Sequence, residues 1–184
     1  MGGAQPCLPS IMEFRVSMKV FTLERQQVVP TQLEETFEFL SNPQNLAQLT
    51  PPWMNLELES SSDSHLRMDT ELCFRLKVRG LPLRWTARIA IWLPGRQFVD
   101  EQVRGPFRFW THVHTFEPVY GGTKVTDRMR YALRGGALAD RYLVRRVLER
   151  AFDHRAQATE EALGRGISAA ATPNRERAVA RPIR

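Results

Sequence analysis

The sequence predicts an α+β domain in which a curved seven-stranded antiparallel sheet wraps a long C-terminal helix. Three observations lead there. A run of alternating strands follows one another through tight turns with no helix between them, which is the pattern of an antiparallel meander. One long segment near the end carries apolar residues at helical spacing. Two short helices follow the first strand. A strongly twisted sheet of that size does not stay flat, so it has to curl around its only large cover.

The elements read in order as follows. Residues 20–29 are β-branched and aromatic and are turned off by Pro30, which marks a strand. Thr31, with Glu34 three positions later, is a capping box ahead of Phe37 and Leu40. Asn42-Pro43 opens a second short helix that runs to Leu49 and stops at Thr50-Pro51-Pro52. Strand 55–60 follows. Leu72, Phe74, Leu76 and Val78 then alternate with polar neighbours, and Gly80-Leu81-Pro82 turns the chain. Trp85, Ala87, Ile89 and Ile91 are expected to share the inner face of the next strand. Further strands are expected over 96–103, 107–119 and 123–133, separated by Gly105-Pro106 and Gly121-Gly122. Gly135-Gly136 precedes the long helix, expected over 139–163 and ended by Gly164 and Gly166; a hinge or cap suits that glycine pair.

Residues 1–17 lack a period and are expected to be disordered or a non-core extension; they also lack the features of a secretory signal. The domain is expected over 18–164, and the Ala- and Arg-rich residues 165–184 are expected to be a disordered basic tail. The net charge is +6, but beyond Gly164 five arginines face Glu176 alone, so the excess is largely local and argues poorly for nucleic acid. No apolar run reaches the roughly 20 residues of a membrane span, and a cytoplasmic protein is expected. The two cysteines, Cys7 and Cys73, have no disulfide or metal spacing, and Cys73 reads as an ordinary strand residue.

The most informative stretch is Trp110-Thr111-His112-Val113-His114-Thr115-Phe116, followed by Val125-Thr126-Asp127-Arg128-Met129-Arg130-Tyr131. A hairpin centred on Gly121-Gly122 would set Phe116 opposite Asp127, His114 opposite Met129 and His112 opposite Tyr131, all on the inner face. The preceding strand adds an acid: an odd loop at Gly105-Pro106 puts Asp100 opposite His112, and an even one brings Glu101 near Trp110. The odd loop, with Asp100, Gln102 and Phe98 pointing inwards, is favoured. Trp85, Asp100, Gln102, Trp110, His112, His114, Asp127, Met129, Tyr131 and Phe152 are therefore the expected ligand-binding residues. Three readings of the polar members stay open: histidines satisfied by Asp and Tyr, the polar wall of a ligand pocket, or acid–base catalysis by His112, His114 or Asp127. Two histidines two apart share the spacing of some metal sites, but no cysteine is near and a third ligand is not evident, so neither metal nor cofactor is expected. There is no phosphate loop, nucleophile elbow or dinucleotide fingerprint.

The element order resembles that of the bacterial SRPBCC proteins of the START/Bet v 1-like superfamily, and so do four stretches: Phe98-Val99-Asp100-Glu101-Gln102-Val103-Arg104-Gly105-Pro106-Phe107, the Trp110 to Phe116 run, Gly122-Thr123-Lys124-Val125-Thr126-Asp127, and Phe152-Asp153-His154-Arg155. More narrowly, they resemble its ligand-binding or cyclase/dehydrase-like branch, over about residues 18–163. The resemblance implies a helix-grip fold with a cavity for lipids, polyketides or other hydrophobic molecules. It implies a carrier or sequestering module or, alternatively, a cyclase/dehydratase- or hydrolase-type enzyme, with a small hydrophobic ligand as partner, no nucleic acid and no stable membrane insertion.

Overall fold

The computed structural model describes residues 18–170. The expectations for residues 1–17, including Cys7, and for the tail beyond Ala170 lie outside the described residues. Seven strands form one antiparallel sheet in the order β1-β7-β6-β5-β4-β3-β2. They are β1 (Phe21–Val29), β2 (Glu57–Ser61), β3 (Glu71–Val78), β4 (Leu81–Leu93), β5 (Gln97–Arg104), β6 (Phe109–Val119) and β7 (Gly122–Ala132). The long crossover from β1 to β2 carries α1 (Leu33–Ser41) and α2 (Leu46–Leu49), each followed or preceded by a 3₁₀ turn. After β7 come α3 (Gly136–Ala139), a π-helical turn (Asp140–Val144) and α4 (Arg145–Ala170). This is the expected helix-grip arrangement.

Alternation decides which face each strand buries. On β3, Leu72, Phe74 and Leu76 are buried while Glu71, Arg75 and Lys77 face solvent. On the outer face, charges pair across strands, as between Arg128 Nε and Glu24 Oε2 at 2.7 Å. Helix α1 plugs one end of the curved sheet: the Phe37 ring lies 5.2 Å from Trp92, 6.1 Å from Phe98 and 5.0 Å from Phe116. Burying such a ring is worth about 1.5–3 kcal/mol.

Several local expectations are corrected. Thr31 does not cap α1: the cap position is Gln32, without a side-chain bond. Thr31 is buried, its hydroxyl sharing a 2.7 Å bond with Thr36 Oγ1, so it serves the core instead. Asn42 does cap the next turn, its Oδ1 accepting from Gln44 N–H at 2.9 Å. Ile91 is 43% exposed, because a bulge at Ala90 shifts the β4–β5 register and turns Trp92 inwards in its place. Strand β2 starts at Glu57, later than expected. Cys73 is a half-buried β3 residue, as expected.

The last helix also differs from expectation. It continues through Gly164 and Gly166 to Ala170 instead of ending at these glycines. Gly164 keeps helical backbone rather than the left-handed conformation that ends a helix. Gly135 and Gly136 do supply positive φ, 89° and 57°, where the chain leaves β7 and starts α3. The π turn begins at the buried Asp140, which accepts the Tyr131 hydroxyl at 2.6 Å. That bond fastens the helical segment to β7 and is of the kind that holds an irregular turn in place.

Candidate functional site

The β5–β6–β7 registers build the site. Asp100 lies opposite His112 and Phe98 opposite His114, which is the favoured odd register. On the other side His112 pairs with Met129, His114 with Asp127, Trp110 with Tyr131 and Phe116 with Val125. The expected β6–β7 pairing was therefore displaced by two residues. The connecting loop is Tyr120-Gly121, with Val119 opposite Gly122, rather than a turn centred on the two glycines. Because the displacement is even, every inward residue stays inward.

The two imidazoles lie side by side, with ring centroids 3.7 Å apart, between two carboxylates. On one edge, Asp100 Oδ2 is 3.1 Å from His114 Nε2 and 3.5 Å from His112 Nδ1. On the other, Asp127 Oδ1 is 3.0 Å from His112 Nε2 and 2.8 Å from His114 Nδ1. The last contact is short but misdirected, so His114 Nδ1 is buried without a hydrogen-bond partner. The Arg155 guanidinium stands 3.8 Å from Asp127 Oδ2. The Trp110 indole N–H donates to Asp100 Oδ1 at 3.4 Å. Phe98 stacks on His114 at 4.0 Å, and Phe152 meets His112 edge-on at 5.2 Å.

Opposing causes set the protonation states. For Asp127, burial favours the neutral acid, but Arg155 and the two histidines outweigh it and hold the carboxyl well below its usual range. Asp100 is also lowered, its burial overcome by His114 and His112. Burial and the neighbouring His114 push His112 down, towards a neutral ring. For His114 burial acts the same way, but its hydrogen bond to Asp100 and the adjacent Asp127 carboxylate prevail and raise it. The two imidazoles are thus shifted in opposite directions between the two carboxylates.

Beside this cluster lies a cavity of about 220 Å³. Its wall is mainly apolar: Leu40, Leu46 and Met54 from the crossover helices, Leu72, Phe74 and Ile89 from the sheet, and Leu148 and Ala151 from α4. Of the expected ligand-binding residues, Trp85, Asp100, Trp110, His112, His114 and Phe152 line it. Gln102, Asp127, Met129 and Tyr131 do not. Gln102 is turned to the β5–β6 loop, accepting from Phe107 N–H at 3.2 Å and donating to Phe107 O at 2.8 Å. Asp127 sits behind the imidazoles. Met129 and Tyr131 are packed with Leu23, Trp110 and Phe152, where the helix presses on β7. Arg155 lines the cavity and was not among the expected residues. Its signal was a charged residue one turn beyond Ala151 and Phe152, on the helix stripe itself.

Asp100, His112 and His114 each offer a ligand atom, all within 4.8 Å of one another. The expectation of no metal rested on the lack of a nearby cysteine and of an evident third ligand; Asp100 offers a third donor atom within reach. Among the described residues, no helix is long and apolar enough to cross a membrane.

The family model described as polyketide cyclase/dehydrase and lipid transport matches residues 29–160. The chain belongs to this family, within the SRPBCC/Bet v 1-like superfamily. Similar solved structures include the Zhui aromatase/cyclase from a Streptomyces species, with 16% identity, a TM-score of 0.66 and coverage of 83% of this chain and 99% of that one. The solved structure of Ara h 8.0201 has 14% identity and a TM-score of 0.61, covering 80% of this chain and 99% of the other. A nucleoside-diphosphate sugar epimerase from Corynebacterium glutamicum has 27% identity and a TM-score of 0.60. There the match covers 77% of this chain and 29% of the other. No curated protein sequence matches.

Proposed function

We propose that this SRPBCC protein binds one compact hydrophobic or amphipathic molecule in its cavity, as a carrier or sequestering module. The observation that carries the reading is the cavity's composition: a mainly apolar wall whose ionisable side chains, Asp100, His112, His114 and Arg155, are gathered in one cluster, with Ser41 and Asn42 as the other polar lining residues. An apolar body with one oxygen-bearing end fits that division, the polar groups fixing its orientation. At about 220 Å³ the space is below the roughly 300–1,000 Å³ of drug-sized pockets, so the occupant is small. The ligand reaches the protein from water, with neither nucleic acid nor membrane insertion involved, and the protein acts in the cytoplasm. Native mass spectrometry of protein purified from its own host, followed by organic extraction, tests this. A stoichiometric hydrophobic adduct is expected. Protein that carries no adduct and is stabilised by none of a panel of compact lipids, phenols and polyketide-like acids would remove the reading.

A second reading is favoured by one observation, the opening of both histidines onto the cavity beside an apolar wall. It is a cyclase/dehydratase- or hydrolase-type enzyme in which His112 or His114, oriented by Asp127, moves a proton of the bound molecule. The matched family's description and the activity named for Zhui belong to the same class of chemistry. His112→Ala and His114→Ala separate the two. Loss of turnover of an extracted ligand with binding retained supports the enzyme, and a change of affinity of about 1–3 kcal/mol with no turnover in either protein supports the binding module.

A further inference from the structure

We propose that Asp100, His112 and His114 form a site for a divalent first-row transition-metal ion whose open coordination positions face the cavity. Asp100, His112 and His114 each offer one donor atom, all within 4.8 Å of one another, and the Asp100 carboxylate meets His112 Nδ1 and His114 Nε2 through Oδ2. The carboxylate oxygen is 3.5 Å from the first nitrogen and 3.1 Å from the second. Ligands bonded at about 2.0–2.2 Å in tetrahedral geometry stand about 3.3 Å from each other, so the cluster needs little adjustment to close on an ion. All three residues sit on paired strands, with His112 directly opposite Asp100, which makes the frame rigid.

The outer contacts fit the same assignment. Each imidazole turns its other nitrogen to Asp127 Oδ1, at 3.0 Å for His112 Nε2 and 2.8 Å for His114 Nδ1. A carboxylate behind a histidine in this way selects the tautomer that leaves the opposite nitrogen's lone pair for a metal. His112, donating from Nε2 to Asp127, therefore directs its Nδ1 lone pair at the edge where Asp100 Oδ2 also points. That oxygen already accepts from His114 Nε2 at 3.1 Å, and it is this proton that a cation held between the three donors would displace. An ion on His114 Nε2 would likewise place the ring proton on Nδ1, the buried atom that lacks a hydrogen bond, and a small ring rotation would deliver it to Asp127. Arg155 on the far oxygen of Asp127 and the Trp110 indole on Asp100 Oδ1 hold both carboxylates in place.

The charge balance names what the open positions would accept. Two carboxylates, Arg155 and a divalent ion leave one positive charge when both imidazoles are neutral. The open side would therefore prefer an anionic oxygen, a carboxylate or phenolate on a hydrophobic body. That preference rests on the ligand-binding reading, whereas the ion itself does not. Two histidines and one carboxylate with open positions suit Zn²⁺ or Fe²⁺ rather than Ca²⁺ or Mg²⁺.

The test uses the metal alone, on the full chain freed of metal by chelation. Titration with Co²⁺ is expected to develop visible ligand-field bands that saturate at one equivalent and disappear when Zn²⁺ is added. Nitrogen-15 spectra of the histidine rings in the wild-type protein are expected to show zinc shifting His112 and His114 and leaving His65 and His154 in place. Asp127→Asn should weaken binding about 10–100-fold, and Asp100→Ala should abolish the one-equivalent site. The variant H65A/H154A, which removes the two histidines outside the cluster, should bind unchanged. Absence of ring shifts at His112 and His114 under excess zinc, or complete loss of binding in H65A/H154A, would overturn the site. Neither outcome touches hydrophobic ligand binding, which the extraction experiment tests separately.

Discussion

Asp127→Asn probes the electrostatic core of the site while keeping its shape. Asparagine fills nearly the same volume, and its carbonyl oxygen still accepts from His112 Nε2–H, now 3.0 Å away in the native protein. What is lost is the charge. Side chains 8% and 11% exposed, Asp127 and Arg155, face each other at 3.8 Å. At the effective dielectric of about 20 that suits such pairs, Coulomb attraction at this separation is about 4 kcal/mol. Removing one member of a buried pair typically costs about 3–5 kcal/mol, because the other is left uncompensated. Both routes give a loss of about 4 kcal/mol, a large share of the roughly 5–15 kcal/mol that holds a domain folded. Urea denaturation of the apoprotein at neutral pH reads it directly. Arg155→Met in the Asp127→Asn background should cost much less than in the wild type, since its charge is then already unpaired. A loss below about 1 kcal/mol, the scale of an exposed ion pair, would refute the claim that the charges are buried and mutually dependent.

Three further outcomes follow from other parts of the fold. Gly122→Ala should cost about 3 kcal/mol or more by urea denaturation, because its Cβ would stand 2.0 Å from Val29 O and 2.9 Å from Pro30 Cα at a φ of 148°. Gly121→Ala, with φ of 86° and open space, should cost only about 1–2 kcal/mol. Tyr131→Phe should cost about 1–3 kcal/mol, since it leaves the buried Asp140 carboxylate without its 2.6 Å donor, and hydrogen exchange should rise first in the π turn. For pH, the lowered Asp127 and Asp100 contribute stability that is present above the ordinary carboxylate range and lost as pH falls through their folded values. The raised His114 contributes below its ordinary value and loses this as pH rises, while the lowered His112 does the reverse. Metal-free protein should therefore show a shallow pH dependence near neutrality and a steep loss in acid; a steep loss centred near pH 6.5 would contradict this balance.

Much of the fold could be read from alternation, because a strand with one buried face writes period two into its sequence. Leu72, Phe74 and Leu76 are of this kind. The stripe Val144, Leu148, Phe152 did the same for α4. The site's inward face was legible for the same reason, and its register error of two residues kept that face intact. Two adjacent glycines do not say which of them turns the chain. Gly122 is needed because Val29 and Pro30 cross above it, a contact distant in sequence. The bulge at Ala90 was equally hidden, since Ile91 and Trp92 are both acceptable inner residues. Nor does alternation separate residues that share a face into those that line a space and those that meet the helix. That division depends on the curvature of the sheet, which set Met129 and Tyr131 under α4 and left His112 and His114 open. Arg155 was missed because a charged residue on an apolar stripe finds its partner, Asp127, only in three dimensions.

The central claim, that this cavity holds a compact hydrophobic molecule, is tested most directly by methyl NMR during titration with the extracted ligand or a panel of small hydrophobic acids and phenols. Saturable shifts are expected at Leu40, Leu46, Leu72, Ile89 and Leu148, which line the cavity, with little change at the exposed Leu138 and Leu143. Shifts confined to Leu138 and Leu143, or none at the cavity methyls with any ligand, would contradict it.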